Sequence, residues 1–283
     1  MVAREGNLTR ASQILCLSQP AVSGQLKILE EELGLKLFER NSRGMILTEQ
    51  GKALLEKAEQ LVSAAGQVMV KAETLRHNVV DEMRIGTVTE PDILRLGQTL
   101  NLLTASHPDL RLSLLQGISG VVIDWAISGR IDAGYVIGEP DDPRVGYIQI
   151  APVTLRVVAP LAWVDKIAEL DWVGIANLPW ISTPPKCSFS QLAARMFARH
   201  GVSPQTVLAA DQEHTLRSLV AAGMGLTLLR EDVALIAQSA GELTIWQPGV
   251  ELSHLFFVFS RDKETSPALQ AVLGAVREVW KKI

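Results

Sequence analysis

Residues able to carry covalent or metal chemistry are few and scattered. His77, His107, His200, His214 and His254 share no spacing that would gather them on one face, and no Gly-x-Ser-x-Gly, P-loop or His-Glu-x-x-His motif sets up a nucleophile, a phosphate cradle or a zinc site. Cys16 and Cys187 lie far apart with no metal spacing around them, which argues against a disulfide framework and fits a reducing compartment. Asp141-Asp142 lies in a Pro-flanked loop and reads as a turn, not a catalytic dyad. No enzyme, metal or cofactor is expected, so the chemistry to look for is binding.

Two groups of residues offer it. Gln19, Ser23, Gln25 and Lys27 fall on one predicted helix, with Ser18 as its cap and Pro20 in its first turn; short polar groups there reach base edges or phosphates in a major groove. Arg40 and Arg43, at the polar tip of the next segment, would lie over the flanking backbone or minor groove as a wing does. The plainer reading of the helix is a solvated face. The second group is a series of hydroxyls where strands end and helices start. Thr87 and Thr89 end one strand, and Thr89-Glu90-Pro91 opens a helix; Ser119 opens the next. Ser182-Thr183 ends a strand beside Pro184-Pro185, Cys187, Ser188 and Ser190 lead into a further helix, and Gln212-Glu213-His214-Thr215 repeats the arrangement. Capping hydroxyls and free amides suit a carboxylate or other anion, although for each taken alone a simple helix cap is the plainer reading. The mixed signs of Glu90, Asp92, Lys186 and Glu213 leave the ligand's charge open.

These residues need elements to hold them. A short helix from Thr9 to Cys16, capped by Asn7 or Thr9, precedes a second helix in which Val22, Leu26, Leu29 and Leu33 form one apolar stripe, ended by Gly34. Residues 37–48 read as a small β-hairpin. From Thr48 to about His77, Leu54, Ala58, Leu61, Ala65, Val68, Ala72 and Leu75 follow a heptad, the pattern of a rod that pairs with a second copy. Beyond residue 82, strands near 83–89, 110–115 and 132–138 alternate with helices at 91–106 and 119–129. Strand 154–159 leads to a second series: 180–182, helix 188–200, 205–209, helix 214–222, 225–229, helix 231–239. Strand 254–260 then returns before a helix at 266–282. Two α/β lobes with a crossover make a clamshell, with ligands beyond the strand C-termini.

The 283 residues suit about two domains, and 27 Lys and Arg against 31 Asp and Glu provide no global basic field. Within residues 1–60 eight cations balance eight acids, so any nucleic-acid affinity must come from where the cations point and from having two heads per dimer. No apolar run approaches a membrane span and no leader is evident, so a soluble cytoplasmic protein is expected.

The chain resembles the LysR-type transcriptional regulators. The resemblance rests on Leu17-Ser18-Gln19-Pro20-Ala21-Val22-Ser23, Leu29-Glu30-Glu31-Glu32-Leu33-Gly34, Leu37-Phe38-Glu39-Arg40 and Leu47-Thr48-Glu49-Gln50-Gly51, and continues by architecture over nearly the whole chain. It implies a winged helix-turn-helix over 1–51, a dimerising linker helix over 48–77, and a periplasmic-binding-protein-like α/β effector domain over 83–283, with lobe I about 83–153 plus 248–283 and lobe II about 154–247. It further implies promoter DNA and a small effector as partners, dimers pairing into tetramers, and RNA polymerase as a further candidate partner. Gln19, Pro20, Ser23 and Arg40 become the candidate DNA contacts, with Ser18 and Gln25 beside them and Lys27 and Arg43 on phosphates. Thr87, Thr89, Ser119, Ser182, Thr183, Cys187, Ser188 and Glu213 become the candidate effector contacts. Two departures stand out: Gly24 occupies a position where the family often has arginine, and Val2 to Asn7 looks like only the tail of the family's first helix, so poor operator binding and uncovered apolar faces at Ile14 and Leu29 are expected. The competing function is a cytoplasmic solute-binding protein with a degenerate DNA-binding head.

Overall fold

The computed structural model describes residues 1–41, 44–76 and 82–281, divided into one unit up to Gly66 and a second from Gln67. In the first unit, α1 (Val2–Glu5), α2 (Leu8–Ile14) and α3 (Gln19–Leu33) precede the antiparallel hairpin β1 (Phe38–Asn41) and β2 (Gly44–Leu47); α4 (Glu49–Arg76) follows, its residues from Gln67 on belonging to the second unit. Asn7 caps α2, its side chain accepting from the amides of Thr9 and Arg10. The helix ends at Ile14, short of the expected Cys16, because Cys16 turns into the left-handed region with φ of 54°. Ser18 Oγ accepts from Ala21 N at 3.3 Å to start α3, Pro20 occupies its first turn, and Gly34 at φ 65° ends it. The Glu30 carboxylate ties α3 to the hairpin by accepting from the amides of Leu37 and Phe38 at 2.6 and 3.0 Å. Thr48 caps α4, accepting from Gly51 N at 3.0 Å.

A small core of Val2, Ala11 and Val22, flanked by Leu8, Leu26, Phe38 and Met45, holds the unit. The expected apolar stripe of α3 is therefore buried only at its start. Leu29, at 45% exposure, and Leu33 face outward with Ile14, Leu15, Leu17 and Ile28, since Val2 and Ala11 reach only the first turns. Along α4, Leu54 is half-buried while Leu61, Val62 and Val68 are exposed, Leu61 at 71%. Arg43 and the end of the predicted linker at 77 lie outside the described residues.

The second unit contains β3 (Glu82–Thr87), α5 (Leu96–Ser106), β4 (Arg111–Gln116), α6 (Ser119–Ile127), β5 (Ala133–Ile137), β6 (Val145–Pro160), α7 (Val164–Ala168), α8 (Trp172–Ala176), β7 (Pro179–Ser182), α9 (Ser188–Ala198), β8 (Gln205–Ala209), α10 (Glu213–Ala221), β9 (Thr227–Arg230), α11 (Glu231–Ser239), β10 (Leu243–Ser260) and α12 (Pro267–Trp280). Its main sheet has the order β4-β3-β5-β10-β6-β9; β3 is parallel to β4 and β5, and the β10 pairings with β5 and β6 are antiparallel. β7 and β8 form a parallel pair that joins β9 through a bridge from Trp180 to Leu226. Two long strands, β6 and β10, therefore link the β4-β3-β5 part of the sheet, called lobe I below, to the part built by β9 with β7 and β8, called lobe II.

That is a correction to the expected strands at 154–159 and 254–260. Gly146 and Pro152 interrupt the apolar pattern of β6, and Pro248-Gly249 inside β10 reads as a turn in sequence. In the fold the latter is an irregularity, the register shifting between Ile245 and Val250 while both ends stay paired to β6. Helix α5 begins at Leu96 and not at 91, because residues 91–95 form turns and Arg95 sits at φ 48°. The central strands are buried on both faces: Tyr135, Ile137, Leu255 and Phe257 pack into the largest cluster, while Val136, Phe256 and Val258 pack against Val122 and Ala126 of α6.

Candidate functional site

On α3 the sequence pattern leaves Gln19, Pro20, Ser23, Gln25 and Lys27 exposed over buried Val22, with Lys27 in a loose 3.6 Å pair with Glu31. Ser18 is the helix cap, and Arg40 is exposed on β1 opposite Met45. The short side chains near the helix start leave its first turn open to a partner, the arrangement by which a helix enters a major groove.

In the second unit a cavity of about 190 Å³ opens between the lobes, beyond the ends of β3, β4, β5, β7 and β9. Of the eight expected effector residues, Thr89, Ser119, Thr183, Cys187, Ser188 and Glu213 line it. Thr87 and Ser182 do not. Thr87 is buried with its hydroxyl toward Leu115 O at 3.5 Å, and the Ser182 hydroxyl donates to Thr183 O at 3.2 Å. Both end strands whose pleat turns them away.

The hydroxyls do not act as the helix caps first expected. Ser119 Oγ accepts from Ile137 N and lies 3.2 Å from Ser188 Oγ, a contact that crosses the cleft. Beside it Gly120 N donates to Lys186 O at 2.9 Å, and a Cβ on Gly120 would stand 2.6 Å from that oxygen, so only glycine permits this approach. Lys186 also donates to Asp124. Thr89, which precedes a turn and no helix, accepts from Arg230. The amides and hydroxyls proposed for an anion are thus largely engaged within the protein. Thr183 is the exception: at 6% exposure, its hydroxyl lies beside the Cys187 thiol with no hydrogen-bond partner of normal geometry.

Charge is concentrated on the lobe II side. Arg230, 3% exposed, pairs with Glu213 at 3.2 Å and Asp232 at 3.1 Å, and its amide donates to Glu213 at 2.7 Å. Burial pushes the Glu213 carboxyl above its ordinary range, against the pull of Arg230 and helped by the negative Asp232 and Glu90. Burial likewise raises the Cys187 thiol, with Asp211 adding to it. Arg230 and Arg217 went unnoticed in the sequence, although Arg230 ends β9 as Thr87 ends β3 and the same strand-end rule covers it. Among the described residues no group of three or more His, Cys, Asp or Glu is placed to hold a metal, and no helix is long and apolar enough to cross a membrane.

Residues 77–281 match the LysR substrate binding domain, and residues 1–52 match the bacterial regulatory helix-turn-helix protein, lysR family. The chain belongs to the LysR family of transcriptional regulators. Its relatives include the HTH-type transcriptional regulator BenM of Acinetobacter baylyi, 30% identical over 81% of this chain and 76% of BenM. Solved structures share its fold: full-length CbnR complexed with its target DNA (21% identity, TM-score 0.52, covering 98% of this chain and 96% of CbnR) and the effector binding domain of QuiR in complex with shikimate (15% identity, TM-score 0.61, covering 71% of this chain and 97% of that domain). As a LysR regulator the chain combines a DNA-binding helix-turn-helix with an effector-binding α/β domain.

Proposed function

We propose that this LysR regulator reads promoter DNA with Gln19, Ser23, Gln25 and Lys27 on α3 and Arg40 on the hairpin, and that a small effector held between the lobes modulates its promoter binding or its activation of transcription. The observation that carries the reading is the exposed polar face of α3 over buried Val22, with a second, hydroxyl-lined cavity in a separate unit to receive the signal. In this reading residues 1–51 bind DNA, 48–77 pair two chains through the exposed face of α4, and 83–283 sense the effector. CbnR was solved on DNA and the QuiR domain with a small molecule, which supports both halves. Dimers pairing into tetramers would place several heads on one promoter, where RNA polymerase is the natural downstream contact.

Gel-shift titration against operator and random DNA tests it. Gln19→Ala should weaken the specific complex by about 1–3 kcal/mol while leaving random DNA nearly unaffected. Equal loss on both removes Gln19 from the reading set. A chain that binds small molecules but retains no DNA preference in any promoter region would instead be a solute-binding protein.

A further inference from the structure

The charge of the cleft points to a class of effector, an inference that rests on the cleft being the effector site. We propose that it takes a small organic cation, a protonated amine on a short apolar body, held by the carboxylates of Glu90 and Asp211 with the Thr183 hydroxyl as a third ligand.

An anion would need an available cation, and both guanidinium groups lining the cavity are already paired with carboxylates. Arg230 Nε and Nη2 donate to the two oxygens of Asp232 at 3.1 and 3.3 Å, and Nη1 faces Glu213 and Thr89. Arg217 is engaged side-on and bidentate by Glu242, its Nε and Nη2 each donating at 2.6 Å. Each arginine thus arrives already neutralised, Arg230 twice over. Glu90 and Asp211 also line the cavity, and among the described residues neither carboxylate has an ion pair or hydrogen bond. The lining thus carries three carboxylates, Glu90, Asp211 and Glu213, and the partners of its two arginines add Asp232 and Glu242. Glu90 and Asp211 are exposed residues at the mouth of the cavity, so an anion entering here would meet their uncompensated negative charge, while an ammonium group would relieve it.

Thr183 supplies the independent sign of a ligand. A buried hydroxyl whose only polar neighbour is the Cys187 thiol, outside normal hydrogen-bond geometry, costs free energy, and an ammonium N–H aimed at its oxygen would satisfy it. Val88, Ile118, Ile137, Phe189, Leu216 and Val233 complete the lining and suit an apolar body. With no metal-binding group among the described residues, an organic cation fits better than an inorganic one. The volume, about 190 Å³, is below the roughly 300–1,000 Å³ of drug-sized sites, so the ligand is small. QuiR holds shikimate, but at 15% identity that likeness carries the fold and not the charge.

Calorimetry and thermal shift on the full chain, with butylammonium, butane-1,4-diammonium and benzylammonium set against pentanoate and phenylacetate, decide it. At least one amine should bind with an affinity that falls as salt rises, and Glu90→Gln and Asp211→Asn should each weaken it about ten-fold. No amine response up to about 10 mM overturns the proposal, as does amine binding that both variants leave intact. Carboxylate binding abolished by Thr183→Val would overturn the charge assignment while leaving the cleft as the effector site. A response to any probe that survives both Thr183→Val and Phe189→Ala would place the effector elsewhere and defeat the cleft reading itself.

Discussion

Asp132, in the turn before β5, gathers a charge cluster: Arg84 of β3 donates to it from its backbone at 2.8 Å and from its guanidinium at 3.2 Å, and Lys263, after β10, donates as well. Burial alone would raise its carboxyl, but these donors outweigh it and hold the group below its ordinary value of 3.8. A depressed folded pKa means stability fully present above about pH 4 and lost as pH falls through the lower, folded value. Asp132→Asn should therefore cost about 3 kcal/mol at pH 7, leaving Arg84 short of its counter-charge. Urea titrations between pH 2 and 7 should show a shallower acid decline in the variant; an identical decline would remove Asp132 from the acid transition. The same logic of partners explains what was legible among the site residues. Thr183, Ser188 and Glu213 announce themselves by their place at strand ends and helix starts. Which hydroxyl is already bonded, as Ser119 is, and which arginine is already neutralised, as Arg230 is, depends on residues distant in sequence and appears only in three dimensions.

Among the elements, α3 carries an anomaly in Gly24. A Cβ there would meet nothing within 4 Å, so the glycine serves no packing need and only weakens the helix. Gly24→Arg should raise stability by about 0.5–1 kcal/mol and add one phosphate contact, steepening the salt dependence of DNA binding by about one unit of slope. An unchanged slope would show that position 24 faces away from the duplex. On α4, a 28-residue rod about 42 Å long, the exposed Leu61 is the most direct test of pairing. Leu61→Glu would set like charges across a dimer seam and should lower the mass seen in sedimentation; an unchanged mass would defeat the seam. Helices with a local signal lie close to where the sequence puts them: α3 through its Ser18 cap and Gly34 end, α9 and α12 through one buried apolar face. The long strands β6 and β10 were only half visible, because Pro152 and Pro248-Gly249 are tolerated by pairing with a distant strand that a local pattern cannot see.

For the molecule as a whole, the place of β10 has a consequence for how the protein is made. In lobe I it fills the slot between β5 and β6, and in lobe II it continues along β6, so each lobe borrows the same late strand. A chain ending before Leu243 should lack a cooperative unfolding transition and be cut rapidly by protease, whereas a chain carrying α12 should resist; equal resistance would mean the lobes close without β10. At the ribosome, Pro160 emerges on the order of ten seconds before Ser260 does. Throughout that wait the edges of β5 and β6 that pair with β10, with Tyr135, Val136 and Val145 among them, have no mate. The unfinished chain therefore exposes an aggregation-prone pair of strand edges for as long as β10 is missing, a surface of the kind that chaperones cover.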